Sequence, residues 1–270
     1  MPAWHLQKPM KHQADIERTG ATASEMTVNP HVKQIRGEPI VSVSNLSIEI
    51  GGRCIIRDAN FTIPRGSGLA VIGPNGSGKT VLLKALLGLL PSTGVIRWAP
   101  GSRQGYVPQK VSADPNLPIR VREILKAKAF VQKLTAGNVE DAVAWAAIGG
   151  LLEQRLGALS SGQLQRVLLA MAMMGAPDVL LVDEPTASLD EGSEEHVFQL
   201  LETTRKSRGT TIIIVSHDLA LVGHLATHVI CVNAGVASFG TARTMLRQDV
   251  LESSFGAPLR FHSHNLENKP

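Results

Sequence analysis

The chain has 270 residues, 43% hydrophobic and 19% charged, which is ordinary for a soluble globular protein of one large domain or two small ones. No run of 18 apolar residues occurs, the charged first 19 residues lack the apolar centre of a secretory signal, and two cysteines are too few for a disulfide framework. The 27 Lys and Arg against 23 Asp and Glu are scattered, and only ten residues are aromatic, which argues against a base-stacking platform for nucleic acid. These features together read as a cytoplasmic protein with Cys54 and Cys231 as core residues.

Residues 1–38 are polar and nearly balanced in charge, and are expected to form a poorly ordered N-terminal extension. Ile40–Val43 and Leu46–Ile50 alternate apolar and polar residues as strands do. Gly51-Gly52 then reads as a turn, with further strands at Cys54–Ile56 and Asn60–Ile63. Leu69–Ile72 is a short apolar run leading through a Gly-rich loop into a helix from Lys79 to about Leu89, stopped by Pro91-Ser92-Thr93-Gly94. Val95–Trp98 and Gly105–Val107 are short strand candidates. Helices are expected at Val121–Leu134, at Val139–Leu152 with a break near Gly149-Gly150, and at Gln163–Met174. Val179–Val182 and Thr211–Val215 are continuous apolar runs of the kind buried on both faces of a parallel sheet. The expected class is α/β, with a helical insertion over about 110–175.

Gly73-Pro74-Asn75-Gly76-Ser77-Gly78-Lys79-Thr80 fits the Walker A phosphate loop, with a strand before it and a helix after it. Its glycines let consecutive N–H groups turn toward one anion, and the helix start adds its positive dipole end. Lys79 can reach the β- and γ-phosphates, and the Thr80 hydroxyl can ligate Mg²⁺. The order of glycines excludes a dinucleotide fingerprint. Val179–Val182 delivers Asp183 and Glu184 at a strand end, where open α/β sheets bind ligands. Asp183 would hold Mg²⁺ through water, and Glu184 can accept a proton from an attacking water. The chain has no N-K-x-D, since Asn268-Lys269 lies at the terminus, which argues against a GTPase.

Leu159-Ser160-Ser161-Gly162-Gln163, 20 residues before Asp183, completes a resemblance to the ATP-binding cassette (ABC) ATPases, whose signature is L-S-G-G-Q. Ser161 departs from that signature but is small. Gln109 matches the family's Q-loop, Ser188-Leu189-Asp190 its D-loop, and His217 its switch histidine. The resemblance covers about residues 39–247, with 248–270 a C-terminal tail. It implies a P-loop nucleotide hydrolase core with an antiparallel β subdomain and an inserted helical subdomain. It further implies ATP bound by Gly73–Thr80 and Val81, with Mg²⁺ at Thr80, Gln109 and Asp183. Catalysis falls to Glu184, Gln109 and His217. Ser160, Ser161, Gly162 and Gln163 would grip the γ-phosphate of the partner subunit's ATP, so the ATPase is a homodimer when ATP binds. The family places an adenine-stacking aromatic where this chain has Ile50, and Ile55 is the other apolar residue that could cover the base.

With no spanning helix, the resemblance implies an ATPase that powers separate integral-membrane permease subunits from the inner face of the cell membrane, as importers do with a periplasmic or lipoprotein solute-binding protein. Asp114–Glu123, His228–Asn233 and Val236–Gly240 resemble the manganese, zinc and iron importers, so the expected cargo is a divalent metal ion. The alternatives are another small solute, or a non-transport ABC ATPase acting on nucleic acid or ribosomes. His262-Ser263-His264 fits a metal context, whereas His224 and His228, one helical turn apart, read as a helix face.

Overall fold

A computed structural model describes residues 38–109, 114, 118–187 and 189–255. The expected extension 1–37, the His262-Ser263-His264 tail and most of the 110–117 stretch lie outside the described residues. Two sheets carry the fold. Strands β1 (Pro39–Ile50), β2 (Arg53–Pro64) and β4 (Thr93–Trp98) form an antiparallel sheet in the order β2-β1-β4. Strands β3 (Gly68–Ile72), β5 (Gln104–Val107), β6 (Val179–Asp183), β7 (Thr211–Val215), β8 (His228–Asn233) and β9 (Val236–Thr241) form a second sheet in the order β5-β6-β7-β3-β8-β9. All its pairings are parallel except β8 with β9.

The four short strands expected at the start of the chain are two long ones. The polar breaks between them are bulges. Asn45 (φ 51°) and Asp58 (φ 47°) take the left-handed conformation that Asn and Asp tolerate. The Asn45 N–H donates to Asn60 Oδ1 at 2.9 Å and the Asp58 N–H to Ser47 Oγ at 2.9 Å, so the ladder continues past each kink. The β8–β9 hairpin, turning at Ala234 and Gly235 with positive φ, had no strand expectation, although Val229–Val232 is a continuous apolar run of the same kind as Val179–Val182.

The central strands are buried on both faces, as their continuous apolar runs require. Leu69, Val71, Leu181, Ile213, Val215 and Ile230 point to the side of the antiparallel sheet and of α1 (Lys79–Leu86). Ala70, Ile72, Leu180, Val182, Ile212 and Ile214 point to the opposite side. There they meet α4 (Ser161–Met173), α5 (Glu191–Arg208), α6 (Leu219–Leu225), α7 (Ala242–Met245) and α8 (Gln248–Phe255). Helices α2 (Val121–Gln132) and α3 (Ala136–Trp145) share a third core with the outer side of α4, built on Val121, Leu125, Ala142, Ile148, Val167 and Ala170.

Several boundaries move for local reasons. Helix α1 ends at Leu86, with Gly88 in a left-handed turn (φ 69°), and Thr93-Gly94 already belong to β4. Thr135 starts α3 three residues early by accepting the Asn138 N–H at 3.3 Å on its Oγ1. The helix stops at Trp145, before Gly149-Gly150, because Ala147 turns left-handed (φ 51°). His224 and His228 share no helix: His224 lies on α6 and His228 opens β8. Cys231 is buried as expected, whereas Cys54 is half-exposed near the start of an edge strand. Among the described residues no helix is long and apolar enough to cross a membrane.

Candidate functional site

In the loop between β3 and α1, Gly73 and Gly78 sit where a side chain would collide with its neighbours. Gly73 has φ 148°, and a Cβ there would lie 2.1 Å from the Val232 carbonyl oxygen; Gly78 has φ 109°, and a Cβ there would lie 2.6 Å from Ile55 Cγ2. Gly78 offers no side-chain cap to α1, so the first-turn N–H groups remain open to an anion. Lys79 is 6% exposed, and its Nζ donates to the carbonyls of Gly73 and Pro74, both at 3.0 Å. Burial lowers its pKa, opposed by the charges of Glu184 and Asp183. Phosphate oxygens would compete for the same ammonium protons.

The loop opens into a cavity of about 400 Å³ lined by Ile55, Asn75, Gly76, Gly78, Lys79, Thr80, Val81, Gln109 and Glu184. Ser77 Oγ is buried beside it with no hydrogen-bond partner among the described residues. Ile50 is not in the lining; it ends β1 opposite Arg53 and is 46% exposed. Ile55, on β2, holds the apolar position in the cavity instead.

The acid pair closes the other side. Asp183 is fully buried, and its Oδ1 accepts the Thr80 hydroxyl at 3.1 Å. Burial raises its pKa and the neighbouring Glu184 charge adds to this, while the Thr80 bond and the cations of Lys84 and Lys79 oppose it. Asp183 Oδ2 is buried with no hydrogen-bond partner among the described residues. A buried, unpaired carboxylate oxygen beside a hydroxyl is a donor set that fits Mg²⁺ or the waters it carries. Glu184 sits in the left-handed region at φ 46°, which is unfavourable for a glutamate. Its N–H donates to the Val215 carbonyl at 3.0 Å, and its Oε2 accepts Gln109 Nε2–H at 2.6 Å. His217 stands exposed two residues beyond β7, the strand next to β6. The Asp183↔Val215 register therefore ends both strands on the same side of the sheet.

The signature segment lies in a different place. Ser160 caps α4: its Oγ accepts the Gln163 N–H at 3.2 Å, and Gln163 Oε1 accepts the Ser160 N–H at 3.0 Å. This leaves the N–H groups of Ser161 and Gly162 at the helix start for a ligand. Asp190 caps α5, accepting the Ser193 N–H on Oδ1 at 2.9 Å and the Ser193 hydroxyl on Oδ2 at 3.0 Å. Those bonds hold its carboxyl pKa low. The two helix starts meet at Gly162, where a Cβ would fall 2.6 Å from Ser193 Oγ. Between them is a cleft of about 420 Å³ that also takes in Arg166 and His196. Sequence reasoning named Asp190 but missed Ser193; the spacing Asp-x-x-Ser, a capping pattern, was the available signal. No residue lines both clefts. Ser188 lies outside the described residues.

Among the described residues no group of three His, Cys, Asp or Glu is placed to hold a metal. His228 instead stacks on Phe239, with ring centroids 5.6 Å apart.

Comparison with known proteins agrees with this geometry. Residues 56–187 match the ABC transporter family profile. A zinc import ATP-binding protein of Jannaschia sp. is 37% identical over 218 residues, covering 80% of this chain and 88% of that protein. Among solved structures, an inward-facing ABC transporter assigned to the metal-chelate type is 27% identical with a TM-score of 0.75, covering 82% of this chain and 90% of that one. A dimeric bacterial ABC transporter cassette, 21% identical with a TM-score of 0.65 over 74% of this chain and 98% of its own, shares the fold. The parallel sheet with its separate antiparallel sheet, the phosphate loop and the relatives together establish that this chain belongs to the ABC transporter ATPases.

Proposed function

We propose that the chain is the ATP-hydrolysing subunit of an importer of divalent metal ions, zinc foremost, and that it drives a separate membrane permease. The observation that carries the cargo is the similarity to zinc import ATP-binding proteins, 37% and 36% identical over 80% and 81% of the chain. The ATPase domain is taken as residues 39–247, with the helical insertion over about 110–175. Its place is the cytoplasmic face of the membrane, and its partners are permease subunits, a second copy of itself and a solute-binding protein outside.

The chemistry follows from the residues. Backbone N–H groups of Gly73–Thr80 and the Lys79 ammonium hold the β- and γ-phosphates, while Ile55 and Val81 give the cavity its apolar part. Thr80, Asp183 and Gln109 would hold Mg²⁺, which when bound neutralises phosphate charge. Glu184 takes the proton of the attacking water. Gln109 donates to Glu184 at 2.6 Å and so aims its carboxylate. His217, two residues beyond β7, is assigned to orient the γ-phosphate, a role supported by its match to the family's switch histidine. Ser160, Ser161, Gly162 and Gln163 present the start of α4 to the nucleotide of the second subunit, so neither site is complete in one chain. The experiment is uptake into vesicles carrying the permease and this subunit. Zn²⁺ should enter on ATP addition, and stimulation by a sugar or amino acid but by no metal would overturn the cargo.

A further inference from the structure

Tyr106 is the single tyrosine of the chain, and its hydroxyl is buried with no hydrogen-bond partner among the described residues. An unpaired buried hydroxyl carries a desolvation cost that phenylalanine would avoid. Asp183 Oδ2 is a second such orphan among the described residues, and Ser77 Oγ in the phosphate loop is another. In the parallel β5–β6 pair Tyr106 is in register with Leu181, so it shares a sheet face with Leu181 and with Asp183 two residues on. That face is the α1 side, where Tyr106 packs against the core and where Thr80 takes Asp183 Oδ1. Burial, with the Asp183 charge adding to it, pushes the Tyr106 phenol above its ordinary value. A tyrosine hydroxyl is an O–H donor, and here it lies on the same side of the sheet as an acceptor oxygen.

We propose that Tyr106 is a positioning residue of the Mg²⁺ site: its hydroxyl donates through one bridging water to Asp183 Oδ2, and so fixes the carboxylate for the metal. That bond makes Tyr106 the outer support of Asp183, as Thr80 is the inner one. Outer supports of this sort usually set metal affinity by about 10–100-fold.

This inference rests on the Mg²⁺ reading of Asp183, and the experiment separates the two. The full chain is prepared as wild type, Tyr106→Phe and Asp183→Asn, and ATP binding is titrated at increasing Mg²⁺. Tyr106→Phe should need about tenfold more Mg²⁺ for half-effect while keeping its metal-free ATP affinity. Asp183→Asn should lose the Mg²⁺ dependence. With 3-fluorotyrosine in the wild type, the single fluorine resonance should move when Mg²⁺ joins ATP, and should stay still in Asp183→Asn. If Tyr106→Phe keeps the wild-type Mg²⁺ requirement while Asp183→Asn loses it, the role of Tyr106 is overturned and the metal reading stands. Equal loss of metal-free ATP binding in Tyr106→Phe would also overturn it, as packing damage. If Asp183→Asn keeps its Mg²⁺ dependence, both fall.

Discussion

The phosphate-loop cleft and the α4–α5 cleft differ most in where their polar groups lie. In the first, Lys79 is 6% exposed and Asp183 is fully buried, and each is held by neighbours in the same chain. In the second, Ser160, Asp190 and His196 are exposed, and the capping side chains bond mainly to their own helix starts. Burying a charge is expensive, so the first cleft is worth its cost only if a counter-charged ligand arrives there. The second bears no such cost and offers backbone N–H groups to solvent. Under the proposed function, one half binds nucleotide alone and the other meets a nucleotide brought by a second copy of the chain.

The largest way to break that contrast is at Glu184. Glu184→Gln keeps the shape and the Gln109 neighbour but removes the proton acceptor, so steady-state hydrolysis should fall by about 10²–10⁴-fold with ATP binding retained. Near-normal turnover with permease present would remove Glu184 from the chemistry. The next effect falls on the exposed half. Gly162→Ala would drive a methyl into Ser193 Oγ, 2.6 Å away, and should abolish ATP-driven association while isolated chains still bind ATP. Adding Ser193→Gly makes room and should restore part of it, as sedimentation would show; no restoration would mean that Gly162 serves something other than close approach.

A smaller effect sharpens the nucleotide half. Ile55 lines the cavity and Ile50 does not, so Ile55→Ala should weaken ATP binding by about 1 kcal/mol, roughly fivefold, and Ile50→Ala should change little. Calorimetric titration of the two variants decides, and the reverse order would place the base over β1. The smallest effect lies away from both clefts. Burial keeps the His228 imidazole below its ordinary pKa, so the unfolded chain binds the proton more readily. Stability from this site is therefore full above about pH 6.5 and is lost as pH falls toward the folded pKa. His228→Phe should flatten the urea midpoint between about pH 7 and pH 5.5, and an unchanged slope would exclude His228 as its source.

The phosphate loop, the Asp183-Glu184 pair and the buried strands were legible because each is a local pattern: glycines at positive φ, or an apolar run ending in acids. Helix α4 was legible as a helix, but it opens at Ser161 rather than at the expected Gln163, because Ser160 caps it. What escaped depends on packing between distant segments. Nothing local tells that Asn45 and Asp58 are bulges rather than breaks; the Asn45 kink is secured by Asn60, 15 residues away. Ile50 falls at the expected chain position, but it pairs with Arg53 at the end of the β1–β2 hairpin, and Ile55 on β2 lines the cavity. The contact of Gly162 with Ser193 joins helices 31 residues apart in sequence, and no spacing rule announces it.

The central claim is that the exposed half completes the buried half of another copy. Sedimentation of the Glu184→Gln chain with Mg²⁺ and ATP tests it most directly, read together with the bound nucleotide. The expected result is a dimer with one ATP per chain, and the same chain carrying Gly162→Asp as an ATP-bound monomer. A Glu184→Gln chain that stays monomeric at saturating ATP, or a dimer that forms equally well with Gly162→Asp, would contradict the account.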